Sequence, residues 1–525
     1  MEGRSAPRSV NYDNSLPLAI EGRAHRRQFF TQNGATYGST TNNIVIMDIN
    51  ADSMLDTQSS YFSLTLNNTS GSNLSLDMGQ PFIRRLRISS AGVILEDIQS
   101  YNRLVGGVLF PAAVSKSSII SDKSLTGEGY FSSPFDTLSA ATGGGGNDDA
   151  AVAFIAPDEA AYQVIGDTSA IDEGTNITTR ITEALADTNL AIQADYRCAA
   201  KTALVGKAID GCSNTTAMTI ATGQSFTYNF NIVSALFNSE VYLPLVLMNA
   251  GLRVEIELAP PAEVGIWGGA VGTGYNISDV RYNAHLIDLE RSFYERLRMV
   301  QQSSGGVLQL SGATYRHYAD RVAAGAGNAT INVPARVKSI KSIFFLLGNE
   351  AASTSSTQYS LSPSQHFNLS EFQFRVGSVN YPPSAVRGTL DGVEGVMGNS
   401  NRGEFYSELM KAFGSLGGAK TDSLLSAYNY AQNDGSSGQT ESLNASLSSG
   451  VPSLVAPCYT PFGMDFETFP REALESGVDT ASRSLQTTLA LTMAANTPAN
   501  AVVDTFVLAD ALFFVNMDGS VSVSV

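Results

Sequence analysis

The side chains best suited to chemistry here are four histidines, three cysteines and a few closely spaced carboxylates. His25, His285, His317 and His366 are scattered along the chain with no H-E-x-x-H pattern. Cys198, Cys212 and Cys458 lack C-x-x-C spacing. Neither a zinc site nor a disulfide scaffold is indicated, and the thiols are expected to be reduced and buried. Asp465 and Glu467 stand two apart on an expected strand, whereas Glu96 and Asp97 read as a helix start, where acids complement the helix dipole. A glycosidase needs two carboxyls facing each other across a cleft, and nothing in the spacing announces one. No G-x-S-x-G elbow supports a Ser-His-Asp triad. Gly143 to Gly146 is followed by no Lys-Ser/Thr, and Gly206-Lys207 has no Gly five residues earlier, so no phosphate-cradling loop is present. Trp267, set among glycines, reads as a packed loop anchor, and Phe344-Phe345 as part of a core strand. The chain is therefore expected to be no enzyme, with no cofactor and no metal.

The elements that carry these residues are mostly short strands. IVIMDI from Ile44, YFSLTLNN from Tyr61 and LRVEIEL from Leu252 alternate apolar and polar residues, the pattern of a sheet with one buried face. One unit occurs twice. Residues 82–105 (FIRRLRISSAGVILEDIQSYNRLV) and 372–413 each give a strand with basic outward positions, Arg85 and Arg87 or Arg375. Each then turns at a Gly and leads to a short amphipathic helix, with Ile98, Tyr101 and Val105 spaced for one helical face in the first copy. ERSFYERLRMVQ from Glu290, followed by Ser303-Ser304-Gly305-Gly306, reads as a linking helix and a flexible joint. VRYNAHLIDLE before it and TFVLADALFFVNMDG near the end read as matching closing strands.

This gives an all-β protein of two tandem antiparallel eight-stranded jelly-roll β-sandwiches with short inserted helices. The expected division is an N-terminal arm at 1–40, a first roll at 41–290 with a large loop insertion at 111–225, the helix and joint at 291–306, and a second roll at 307–525. Charged residues make up only 15% and the net charge is −17, which argues against a dedicated nucleic-acid binder. The sign is uneven. In residues 1–27, Arg4, Arg8, Arg23, Arg26 and Arg27 face three acids, a net of +2 that leaves −19 for the rest. Residues 145–197 carry ten acids against Arg180 and Arg197, a density that belongs in solvent. No apolar run is long enough for an ordinary membrane span, and no secretory h-region is visible.

The segment from Phe466, FETFPREALESGVDTASRSLQTTLAL with its Ser476-Gly477 turn, resembles the region before the penultimate strands in double jelly-roll major capsid proteins. IVIMDI, LDTQSSYFSLTL and FIRRLRISSAGVILEDIQSYNRL resemble the first roll of the same proteins, nearest in flavour to those of virophages and polinton-like viruses. Glu475 stands where larger eukaryotic DNA viruses have a Pro, and the 111–225 insertion matches nothing in the pattern. The resemblance implies a homotrimer whose six rolls form a pseudohexameric capsomer, lateral contacts between capsomers in an icosahedral shell, and penton and minor capsid partners. It also implies assembly inside a host cell and a final place in the virion. With the acid-rich loop outside, the basic arm (Arg4, Arg8, Arg23, Arg26, Arg27) is expected to face the particle interior, toward nucleic acid or an anionic membrane. The competing expectations are an extracellular glycan-binding β-sandwich, which would call for a secretion signal, and a jelly-roll polysaccharide hydrolase.

Overall fold

The structure, a computed structural model, describes residues 22–113, 220–350, 369–390, 400–414, 461–468, 477–481, 485–493 and 500–525, apart from 41, 73, 77–78, 221, 240, 268–270, 273 and 402. The first half supplies eight main strands: β1 (Gly22–Phe30), β2 (Ile44–Ile49), β3 (Met54–Asn68), β4 (Ile83–Ser90), β5 (Val93–Gln99), β6 (Ser225–Phe230), β7 (Leu252–Leu258) and β8 (Tyr275–Leu289). A helix, α1, runs through Tyr101–Arg103, a π-turned stretch Leu104–Leu109 and Phe110–Ala113. Helix α2 (Arg291–Ser303) follows β8. The second half supplies β9 (Val307–Val322), β10 (Asn328–Val333), β11 (Ile340–Asn349), β12 (Leu369–Val376), β13 (Val379–Arg387), helix α3 (Gly403–Ala412), β14 (Phe462–Asp465), β15 (Thr487–Met493) and β16 (Ala501–Asn516). A short β17 (Val521–Ser524) folds back on β16.

Strand order shows the duplication plainly. The first half forms sheets β1-β8-β3-β6 and β2-β7-β4-β5, and the second forms β9-β16-β11-β14 and β10-β15-β12-β13. In each half the first, eighth, third and sixth strands make one sheet and the second, seventh, fourth and fifth make the other, every pairing antiparallel. That is jelly-roll order, twice. Among the described residues no main strand of one half pairs with a strand of the other.

Alternation explains the layers. On β7, Leu252, Val254, Ile256 and Leu258 are buried while Arg253, Glu255 and Glu257 face outward. The outward acids and arginines pair across strands: Arg253 holds Asp48 at 2.7 and 3.0 Å, Arg87 holds Glu255 at 3.1 Å, and Arg85 holds Asp97 at 2.7 and 2.6 Å. Each interior is rich in aromatic rings. Phe62 lies 4.5 Å from Tyr282 in the first roll, and Phe345 stacks on Phe462 at 4.8 Å in the second. Burying one such ring contributes about 1.5–3 kcal/mol.

Two expectations needed correction. Residues 22–30, read as part of an arm, are a full strand in register with β8, from Gly22 opposite Leu289 to Phe30 opposite Arg281. Residues 36–38 also pair with β8. The repeated unit, read as strand, Gly turn and helix, is a two-strand hairpin followed by a helix. Ala91 (φ 49°) and Gly92 (φ 84°) make the two-residue turn in the first copy, and Gly377 (φ 61°) opens it in the second. Glu96, Asp97 and Ile98 therefore lie on a strand rather than on a helix.

Candidate functional site at the seam between the two rolls

The rolls meet where β5 of the first lies against β9, the edge strand of one sheet of the second. A loop of the first roll, residues 232–239, also presses on β9. The contact at Gly312 is so close that a methyl group there would sit 2.8 Å from the Ala235 Cβ. Only glycine fits without displacement.

Three polar side chains meet at this seam, one from the first roll and two from the second. Arg103, on α1, places Nε 2.7 Å from Oδ2 of Asp504 on β16. The other carboxylate oxygen lies 2.7 Å from His317 Nε2 on β9, whose ring is 5.0 Å from that of Phe506. Gly348 on β11 leaves room for the guanidinium, since a Cβ there would meet Nη2 of Arg103 at 2.8 Å. The Arg103, His317 and Asp504 side chains are 11%, 8% and 5% exposed. Burial alone would push the Asp504 carboxyl up; the Arg103 charge and the His317 hydrogen bond outweigh it and hold the group below the usual carboxylate range.

Glu96 is the second buried group. A register shift in the β4–β5 pairing, where Ile88 faces Glu96 but Ser89 faces Ile94, is a β-bulge at Leu95 that buries Leu95 and Glu96 in succession. The carboxylate accepts hydrogen bonds from the Ala235 N–H at 2.9 Å, the Leu236 N–H at 3.3 Å and the Ser234 hydroxyl. It thereby fixes the loop that packs on Gly312. Burial raises its pKa, and these hydrogen bonds offset part of the rise. Further ties run from the Asn249 N–H to the Gly519 carbonyl at 3.1 Å and from the Gln301 side chain on α2 to the Val515 carbonyl at 2.9 Å.

The residues singled out in the sequence are placed differently. Arg23 is exposed on β1, next to the His25–Asp288 contact of 3.3 Å. Arg26 is held by Asn283 Oδ1 at 2.6 Å and the Tyr61 hydroxyl at 3.0 Å, and Arg27 lies over the Phe29 ring at 4.9 Å. Arg4, Arg8, the three cysteines, His366 and the acid-rich 145–197 stretch lie outside the described residues. Asp465 and Glu467 do not face each other across a cleft: Asp465 accepts the Glu467 N–H at 2.9 Å, and Glu467 pairs with Lys341 at 3.2 Å. Trp267 is buried and donates to the Pro261 carbonyl at 2.8 Å, a packed anchor as expected. Sequence reasoning missed Arg103 and Asp504, and it set His317 aside as one of four scattered histidines. The signal for that pair was Asp504 itself, an acid in AVVDTFVLADALFFVN, a strand with apolar neighbours on both faces.

No family model matches the chain, and no curated protein sequence matches it. Solved structures do. The PBCV-1 VP54 crystal structure, fitted into a cryo-EM reconstruction of the virophage Sputnik, aligns over 98% of this chain and 99% of that one, with a TM-score of 0.50 and 11% identity. The mavirus major capsid protein aligns over 100% and 95%, with a TM-score of 0.44 and 9% identity. The Faustovirus major capsid protein aligns over 96% and 92%, with a TM-score of 0.45 and 9% identity. The described residues thus form a double jelly roll, and the seam is where its two halves meet.

Proposed function

We propose that this protein is the major capsid subunit of an icosahedral virus, a structural protein that assembles as a homotrimer and takes its place in the virion. The observation that carries the reading is the fusion of two rolls of identical strand order in one chain, locked by a buried ionic seam. Three such chains present six similar rolls, so a near-hexagonal block forms from a closed three-fold ring with heterologous contacts between first and second rolls. An obligate interface of this kind buries well over about 2,000 Å². The work of the molecule is geometric: rigid sandwiches make walls, and weak lateral contacts are repeated across the shell. Penton and minor capsid proteins are its further partners in this reading. The N-terminal stretch 1–27, net +2, faces inward in this reading, toward nucleic acid or an anionic membrane; Arg23, Arg26 and Arg27 ride on β1, and residues 1–21 add Arg4 and Arg8 against three acids.

Light scattering on the purified chain tests the first step. A particle of three 55.6 kDa chains, six-lobed in negative stain, is the expected result; a concentration-independent monomer overturns the reading. Deleting residues 1–21 is expected to leave trimers intact and impair shell assembly. Rapid protease cleavage of this segment in unbroken particles would place it outside instead.

A further inference from the structure

The duplicated fold gives every group at the seam a matching position in the other roll. In the first roll Phe62 on β3 faces Phe230 on β6 and Tyr282 on β8. In the second, Phe345 on β11 faces Phe462 on β14 and Thr505 on β16. The third, sixth and eighth strands therefore share one register in both rolls. Asp504, just before Thr505, corresponds to Arg281, just before Tyr282. Each faces the residue that follows the core Phe on the third strand, Leu346 for Asp504 and Ser63 for Arg281. Where one roll carries the acid that closes the seam, the other carries a base.

The helices show the same reversal. Arg103 is the third residue of α1, the helix that follows the β4–β5 hairpin. The helix after the β12–β13 hairpin is α3, and its first turn carries Glu404 instead. Glu404 is exposed and is tied to its own roll by the Arg387 N–H at 3.2 Å. Arg281 lacks an acceptor: its Nε is buried with no hydrogen-bond partner among the described residues, and Nη1 stands 3.4 Å from Asp279, itself 50% exposed. A guanidinium N–H stranded in this way is costly, and a carboxylate satisfies it. Directly across from Arg281 on β1, Phe30 is 59% exposed.

We infer that Glu404 of one copy pairs with Arg281 of the next, so that the second roll of each chain rests on the first roll of its neighbour as the two rolls rest on each other within a chain. Phe30 is covered by the same contact. No shared strand ladder is needed, since among the described residues none joins the rolls inside the chain, and Pro382 and Pro383 remove two N–H donors from β13. The reversed signs decide which roll meets which. A first roll set on another first roll would bring Arg103 to Arg281, and a second on a second would bring Glu404 to Asp504, like charges both times. First and second rolls must therefore alternate around the ring. This contact rests on the trimer reading above for its three-fold closure.

The test takes the full-length chain and follows its mass by light scattering over a dilution series, with far-ultraviolet circular dichroism to check folding. Arg281→Glu and Glu404→Arg should each raise the concentration at which half the trimer dissociates about tenfold or more, the effect of setting like charges together. Both substitutions in one chain restore opposite charges and should bring the trimer back, which a folding defect in either single variant would not allow. Wild-type trimers that neither substitution weakens overturn the inference and leave the capsid reading standing, as does a double variant no better than the singles. A wild-type chain that stays monomeric sinks the capsid reading, and this contact with it.

Discussion

Replacing Arg103 with alanine leaves the Asp504 carboxylate, 5% exposed, without the guanidinium, with His317 Nε2 still 2.7 Å away. Removing one member of a buried pair costs about 3–5 kcal/mol, because the other charge stays behind without compensation. The internal control is Arg253→Ala. That arginine grips Asp48 with similar geometry but is 49% exposed, so its loss should cost less than about 1 kcal/mol. Guanidinium unfolding read by two probes separates local from global effects. Trp267, the single tryptophan, reports the first roll, while far-ultraviolet circular dichroism reports both. The two curves should coincide in the wild type and part in Arg103→Ala, as each roll falls back on its own core. Proton linkage adds a second signature. Asp504 has a depressed folded pKa, so its contribution is fully present above the unfolded carboxylate value and is lost as pH falls through the folded one. Without Arg103 the uncompensated burial lifts that pKa, the neutral acid forms earlier on acidification, and the cost of the substitution shrinks. A penalty below about 1 kcal/mol, or one that does not change between pH 7 and the carboxylate range, would refute the reasoning.

Glu96→Ala removes the acceptor for two buried N–H groups and a hydroxyl, each costing about 1–3 kcal/mol when stranded, so a loss of about 3–5 kcal/mol is expected in chemical denaturation. Because burial raises the Glu96 pKa, its contribution is complete below the unfolded value and is lost as pH rises through the folded one. Glu96→Gln should therefore flatten the stability profile on that side, and an unchanged slope would count against a buried carboxylate. Gly312→Val drives a side chain into Ala235 and should cost about 1–3 kcal/mol, with the two probes above diverging; a silent substitution would mean the seam is loose. Phe462→Ala removes the ring stacked on Phe345 and should cost about 3–5 kcal/mol; with the seam intact, the Trp267 and circular-dichroism curves should move together, and an unmoved Trp267 curve would mean the rolls already unfold separately.

Much of the fold could be read from alternation, as in LRVEIEL, and from the recurrence of one unit. Strand β1 could not. GRAHRRQFF buries only Phe29, because an edge strand exposed on both faces has no apolar side to alternate and carries arginines that discourage pairing with other chains. Glu96 was misread for a different reason: the bulge at Leu95 breaks the two-residue period, so VILEDIQ imitates the spacing of a helix. The seam itself was out of reach. Arg103 and Asp504 stand about 400 residues apart in the sequence, and spacing along a chain says nothing about groups that only the fold brings together.

The position of β16 has a consequence for how the molecule is made. It pairs with β9, β11 and β17, and it carries the carboxylate that Arg103 waits for. On the ribosome, the first roll has all eight strands once β8 emerges, whereas the sheet of the second roll that contains β16, and the joint between the rolls, stay open until β16 is out. Long-range pairings of this kind form late and leave edges bare meanwhile. A chain that stops before β16 thus lacks the middle of one sheet and the lock between its halves together.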